Sequence, residues 1–161
     1  MKTARLLLVA TIAAIALASP ASAGPARTIR LLWSERAIDG DKTVMTFQVR
    51  TLKIEGGRWT VDASFRNTSR VKLGVRKQFA VLYGPSRVRV SRLKVLAAKG
   101  FRPAMPASLA PGKGWRGTFS GTGGTALTKT YIRVQFSYFQ GRAIAGRRGF
   151  GWITDHVARV N

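Results

Sequence analysis

Asp155 and His156 are the residues whose types most directly suggest catalysis, because a carboxylate that orients an imidazole is the core of a hydrolytic triad. His156 is the only histidine in 161 residues, which excludes any site with two or more histidine ligands. The chain has no cysteine, so it holds neither thiolate metal sites nor disulfides. Residues 150–160 read as a closing strand, and strand neighbours point to opposite faces, so Asp155 and His156 are not expected to pair with each other. No G-x-S-x-G elbow supplies a nucleophile. His156 therefore reads as a structural histidine, and the chain as a non-enzyme.

The six acidic residues (Glu35, Asp39, Asp41, Glu55, Asp62 and Asp155) are thinly spread. Two of them could meet in space as a glycosidase-type carboxylate pair. Most fall in turns or on polar strand faces, where bridging to the many arginines is the simpler expectation. Asp39-Gly40-Asp41 lacks the further ligands and distal glutamate of a calcium loop and reads as a turn. Gly112-Lys113-Gly114-Trp115-Arg116-Gly117 matches G-x-G-x-x-G, but Pro111 precedes it and a β-type sequence follows. A dinucleotide fingerprint must leave a strand and open a helix, so this stretch reads as a turn. No metal and no cofactor is expected.

Charge is the unusual bulk property: 28 lysines and arginines against 6 acids, a formal +22. Lys2 and Arg5 open a basic start, residues 6–18 are apolar, and Ala21-Ser22-Ala23 supplies small residues. This reads as a secretory signal over residues 1–23, cleaved after Ala23, because its apolar run falls short of the about 20 residues a bilayer core requires. The mature chain from Gly24 then carries +20. No later stretch is long and apolar enough to span a membrane, so the expectation is a secreted, extracellular or cell-wall-associated bacterial protein.

Arginines outnumber lysines, which suits bidentate contact with phosphate or carboxylate. An Arg-rich and Ala-rich composition is also what a GC-rich genome supplies without selection for binding. The candidate anion-binding residues are Arg66, Arg70, Lys72, Arg76, Lys77, Arg87 and Arg89, which flank the apolar run 79–83. If they cluster, the expected partner is an anionic polymer: cell-wall polymer, lipid head groups or nucleic acid. Stacking on bases would fall to Tyr83 and Phe101. The alternative partner is a protein, contacted through the loops 97–114 and 121–125.

These residues need a scaffold, and alternation supplies it. Trp59, Val61, Ala63 and Phe65 alternate with Thr60, Asp62, Ser64 and Arg66, which is a strand with one apolar face. Trp59 is therefore expected in the core. Gly56-Gly57 joins this strand to 43–54 as a hairpin, and Asn67-Thr68-Ser69 turns the chain out. A first strand is expected at 29–33, after a basic leader over 24–30 that is free of structure. Further strands are expected at 79–83 (covered on both faces), 87–91, 115–119, 131–139 and 150–160. In 131–139, Ile132, Val134, Phe136 and Tyr138 are expected to share a face. Residues 97–114 lose periodicity around Pro103, Pro106 and Pro111, residues 121–125 read as a turn, and 141–149 as a basic, glycine-rich loop.

About seven or eight short strands without helical periodicity make residues 24–161 one all-β domain, an antiparallel β-sandwich. The Trp59 strand, Leu109-Ala110-Pro111-Gly112 and Ile132-Arg133-Val134 resemble exported bacterial immunoglobulin-like domains of uncharacterised families, which implies an immunoglobulin-like fold and no activity. Gly121-Thr122-Gly123-Gly124 and Arg102-Pro103 are similar to loop motifs of chagasin-type cysteine-protease inhibitors. Their order is reversed here, and the Asn-Pro-Thr-Thr-Gly motif is absent.

Overall fold

The structure, a computed structural model, describes residues 25–86 and 92–161. The signal segment and the expected 87–91 strand, with Arg87 and Arg89, lie outside the described residues. Twelve strands are described: β1 (Arg27–Asp39), β2 (Lys42–Glu55), β3 (Arg58–Asn67), β4 (Leu73–Arg76), β5 (Ala80–Gly84) and β6 (Lys94–Ala97) come first. β7 (Gly100–Arg102), β8 (Ser108–Leu109), β9 (Gly114–Thr122), β10 (Thr130–Gln140), β11 (Gly149–Ile153) and β12 (Ala158–Val160) follow, with one 3-10 turn at Gly124–Leu127. They form two antiparallel sheets. The first runs β1-β2-β3-β9-β7, and in the second β6-β5-β10-β4-β8 is completed by β11 and β12 on β10. Among the described residues no helix is long and apolar enough to cross a membrane.

The alternation in β3 decides how the sheets meet. Trp59, Val61, Ala63 and Phe65 are all buried, and the Trp59 indole N–H donates to the Thr122 carbonyl at 3.0 Å. Phe47 on β2 and Phe65 on β3 pack across the gap onto Phe136 and Phe139 of β10, with ring centroids 4.9–6.1 Å apart. One apolar cluster therefore runs through both sheets, as a β-sandwich requires. Ala80, Val81 and Leu82 are all buried, so β5 is covered on both faces as its unbroken apolar run predicts.

The strand count exceeds the expected seven or eight. β4, β7 and β8 lie in stretches read as connections, and 150–160 divides into β11 and β12. Strands of two to four residues hold too few positions for alternation to show. The basic leader is also paired: Arg27–Arg30 lies opposite Thr51–Ile54 of β2. In β1 a register shift between Arg30 and Trp33 puts Leu32 at φ 51°, 74% exposed between buried Leu31 and Trp33. β10 has its own irregularity. Ile132, Val134 and Phe136 share the buried face, but the pairing with β11 slips between Phe136 and Tyr138, so Ser137 and Phe139 are buried and Tyr138 faces out.

The G-x-G-x-x-G stretch is a turn running into a strand. Gly112 takes φ 72°, and a Cβ on Gly117 would stand 2.2 Å from the Arg102 carbonyl oxygen. Its last glycine thus lets β7 lie against β9, and no helix follows it.

Candidate functional site

Three crossings of the chain meet at one end of the sandwich, and Asn67 organises them. It ends β3 fully buried, and its Nδ2 donates to the carbonyls of Val71 at 2.8 Å and Leu109 at 3.1 Å. Its Oδ1 accepts from the Ser69 N–H and hydroxyl, closing a tight turn over residues 67–71. Its own N–H donates to Lys113 O, and its carbonyl accepts from Gly112 N–H. Thr68 and Ser69 also donate backbone N–H groups to Val44 O, and the Thr68 hydroxyl donates to Thr43 O. A buried amide with every group engaged is a rigid support, since leaving any of them unpaired would cost about 1–3 kcal/mol.

That support presents Arg70. With Lys42 and Thr43 from the start of β2, Ser69 from the turn, and Arg142 from the 141–148 loop, Arg70 lines an open cleft of about 480 Å³. Lys42, Arg70 and Arg142 are all exposed. The one carboxylate in the wall, Asp39, accepts the Ala145 N–H at 3.0 Å and so fastens the 141–148 loop beside the cleft. Three cations around one engaged acid, with hydroxyls between them, suit an oxyanion such as a phosphate or carboxylate group.

The other candidates among the described residues are dispersed. Arg66 stands on the first sheet, where its Nε donates to Gly112 O at 2.9 Å beside Arg116. Lys72 is exposed just before β4, Arg76 is exposed on β4 opposite Tyr138 in the second sheet, and Lys77 follows it. Of the candidates among the described residues, only Arg70 lines the cleft. Lys42 and Arg142 escaped the sequence reading because neither lies in a charge run near Arg70; only the turns bring them together. Tyr83 and Phe101, expected as stacking platforms, are instead partly buried against the core.

A second arrangement involves the residues that first suggested catalysis. Asp155 and His156 do not lie on a strand; they fall in the break between β11 and β12. Glu35 of β1, expected with the surface acids, is buried and is the partner of this break. Its Oε1 accepts from the His156 N–H at 3.0 Å and from Nδ1 at 2.7 Å, and its Oε2 accepts from Trp152 Nε1 at 2.8 Å. A carboxylate only accepts, so His156 carries its proton on Nδ1. Trp33 stacks on the imidazole with centroids 5.8 Å apart, and Trp152 stacks on Phe47 at 5.2 Å. Burial pushes the Glu35 carboxyl up, but hydrogen bonds from the His156 backbone and ring, from Trp152 and from the Asp155 backbone outweigh it and hold the group below 4.5. The hydroxyl nearest in sequence, that of Thr154, donates to His156 O and accepts from Val134 N–H, so it is already engaged. The arrangement ties the edge of the first sheet to the C-terminal strands of the second.

Among the described residues only two cations meet an acid: Arg50 bridges Asp62 at 3.2 Å, and Lys53 bridges Glu55 at 2.6 Å. The expectation that most acids bridge to arginines therefore holds for Asp62 alone. No cluster of three or more metal-ligating side chains occurs among the described residues. Comparison with protein-family models, with characterised proteins and with solved structures finds no match to this chain.

Proposed function

We propose that this chain is an exported, non-catalytic interaction domain that holds anionic polymers by charge, with the Lys42–Arg70–Arg142 cleft as its principal contact. The observation that carries this reading is the cleft itself. Three cations from separate segments share one hollow, its single carboxylate is engaged by a backbone N–H, and the turn beneath Arg70 is braced by a buried asparagine. The net charge adds a long-range field that draws polyanions to the surface. The two-sheet architecture is compatible with an immunoglobulin-like relationship, in which turns at the ends of the sandwich make the contacts.

Binding of this kind releases condensed counterions and weakens steeply with salt. Poly(glycerol phosphate), anionic vesicles and duplex DNA are expected to bind at low salt and to weaken together as salt rises. Replacing Lys42, Arg70 and Arg142 by Gln is expected to flatten the dependence on duplex DNA by about 0.9 in log–log slope for each phosphate no longer neutralised. A triple variant with the full slope would show that the charge is a diffuse coat and the cleft no site.

A further inference from the structure

We propose that the outer face of the second sheet carries a separate site for a neutral saccharide ring, built where both flanks of β10 are interrupted. β5 and β4 follow one edge of β10, and β12 and β11 follow the other. The first edge breaks over residues 77–79 and the second over 154–157. The two breaks adjoin along β10 at Gln135: the first lies between the Gln135–Ala80 and Tyr138–Arg76 pairs, the second between the Gln135–Ile153 and Ile132–Ala158 pairs. Gln78 enters from one break and Asp155 from the other. With Gln135, Tyr138 and Ile153 between them, they line an open cleft of about 400 Å³.

The bulge in β10 makes the site. Continued alternation would bury Tyr138 with Ile132, Val134 and Phe136; the slip after Phe136 turns it outward instead, 36% exposed. Bulges of this kind re-aim a side chain, and here the result is a phenol in a largely apolar hollow that also holds two glutamines and an aspartate. Gln135 Nε2 donates to the Gln78 backbone carbonyl at 3.0 Å, which fixes its amide. The Gln135 Oε1, the Gln78 side-chain amide and the Asp155 carboxylate have no bond within the described fold, so both donors and acceptors remain for a ligand. An aromatic ring offers its negative face to the C–H groups of a pyranose, while amides and a carboxylate meet the hydroxyls at its edge. No lysine or arginine is among the described lining residues, and the one charged group there is an acid. This chemistry selects a neutral polyol over a polyanion, so the site stands apart from the Lys42–Arg70–Arg142 cleft. Because the cleft is open, it takes one unit of a longer glycan chain.

The test is titration of the isotope-labelled chain with cellohexaose, chitohexaose, mannohexaose and xylohexaose at millimolar concentration, followed by amide chemical shifts. At least one sugar is expected to move the signals of Gln135 and Tyr138, with an affinity indifferent to salt. Tyr138→Ala is expected to weaken that binding about tenfold, the value of one stacking ring, while Tyr138→Phe retains it. Gln78→Ala, at an exposed side chain with no bond in the fold, is expected to weaken it too at an unchanged melting temperature. Absence of shifts with all four sugars would overturn the proposal. So would wild-type affinity in both Tyr138→Ala and Gln78→Ala, or binding that disappears at physiological salt.

Discussion

The carboxylate of Glu35 lies at the edge of the core with both oxygens engaged, whereas the guanidinium of Arg70 stands in an open cleft with no acidic partner. Both are charged groups on a chain with no disulfide, and they are held in opposite ways. Taking a charge out of water is strongly unfavourable unless donors replace the water, and the indole of Trp152 with the backbone and ring of His156 does so for Glu35. Arg70 keeps its hydration, so it needs no partner for the fold to stand. The same contrast holds more widely: no buried side-chain polar atom lacks a partner among the described residues, while Arg50 and Lys53 alone among the described cations meet an acid. The buried charge of Glu35 fastens elements together, while most cations among the described residues meet no acid.

The comparison breaks most visibly if the interior does not carry the stability. Trp59→Ala removes a fully buried indole and its bond to Thr122 O, and is expected to cost about 3–5 kcal/mol, enough to leave the chain largely unfolded in a melt. A wild-type melting temperature would mean that Trp59 is not in the core.

Glu35→Ala comes next. It strands the Trp152 and His156 donors and is expected to cost about 1–3 kcal/mol. Hydrogen exchange should then rise first in β11 and β12, which the tie fastens to β1. Uniform exchange across both sheets would show that the tie has no local role.

The acid limit sharpens the same point. Glu35 is held below 4.5 when folded, so its contribution is fully present above the unfolded value and fades as pH falls through the folded one. The stability gap between wild type and Glu35→Gln should be present at neutral pH and close in acid. A gap unchanged down to the acid limit would mean that the carboxylate is not the ionised acceptor described.

The smallest expected effect is on the other side of the comparison. Lys42→Gln, Arg70→Gln and Arg142→Gln together should shift stability by no more than about 0.5 kcal/mol, since exposed cations without partners contribute little. A large loss in thermal or chemical denaturation would make Arg70 structural, like Glu35.

Alternation was enough to read the β2–β3 hairpin at the centre of the first sheet. Trp59 to Phe65 and the Gly56-Gly57 turn state their own register, because side-chain direction in a regular strand depends only on position along it. The all-β class, the hairpin and the burial of Trp59 were therefore legible from residues alone. The facing of Tyr138 was not, because a bulge is one extra residue whose place depends on the opposing strand. Nor was the role of Glu35, whose partner lies 121 residues along the chain, at a break that reads as continuous strand. The cleft follows the same logic: Arg70 stood out in a charge run, while Lys42 and Arg142 became its neighbours only when the start of β2, the turn after β3 and the 141–148 loop met. Sequence determined the periodic parts of this protein because period is a local property. Tertiary structure decided the surroundings of Glu35 and Arg70, because each draws on residues that only closure of the two sheets brings within reach.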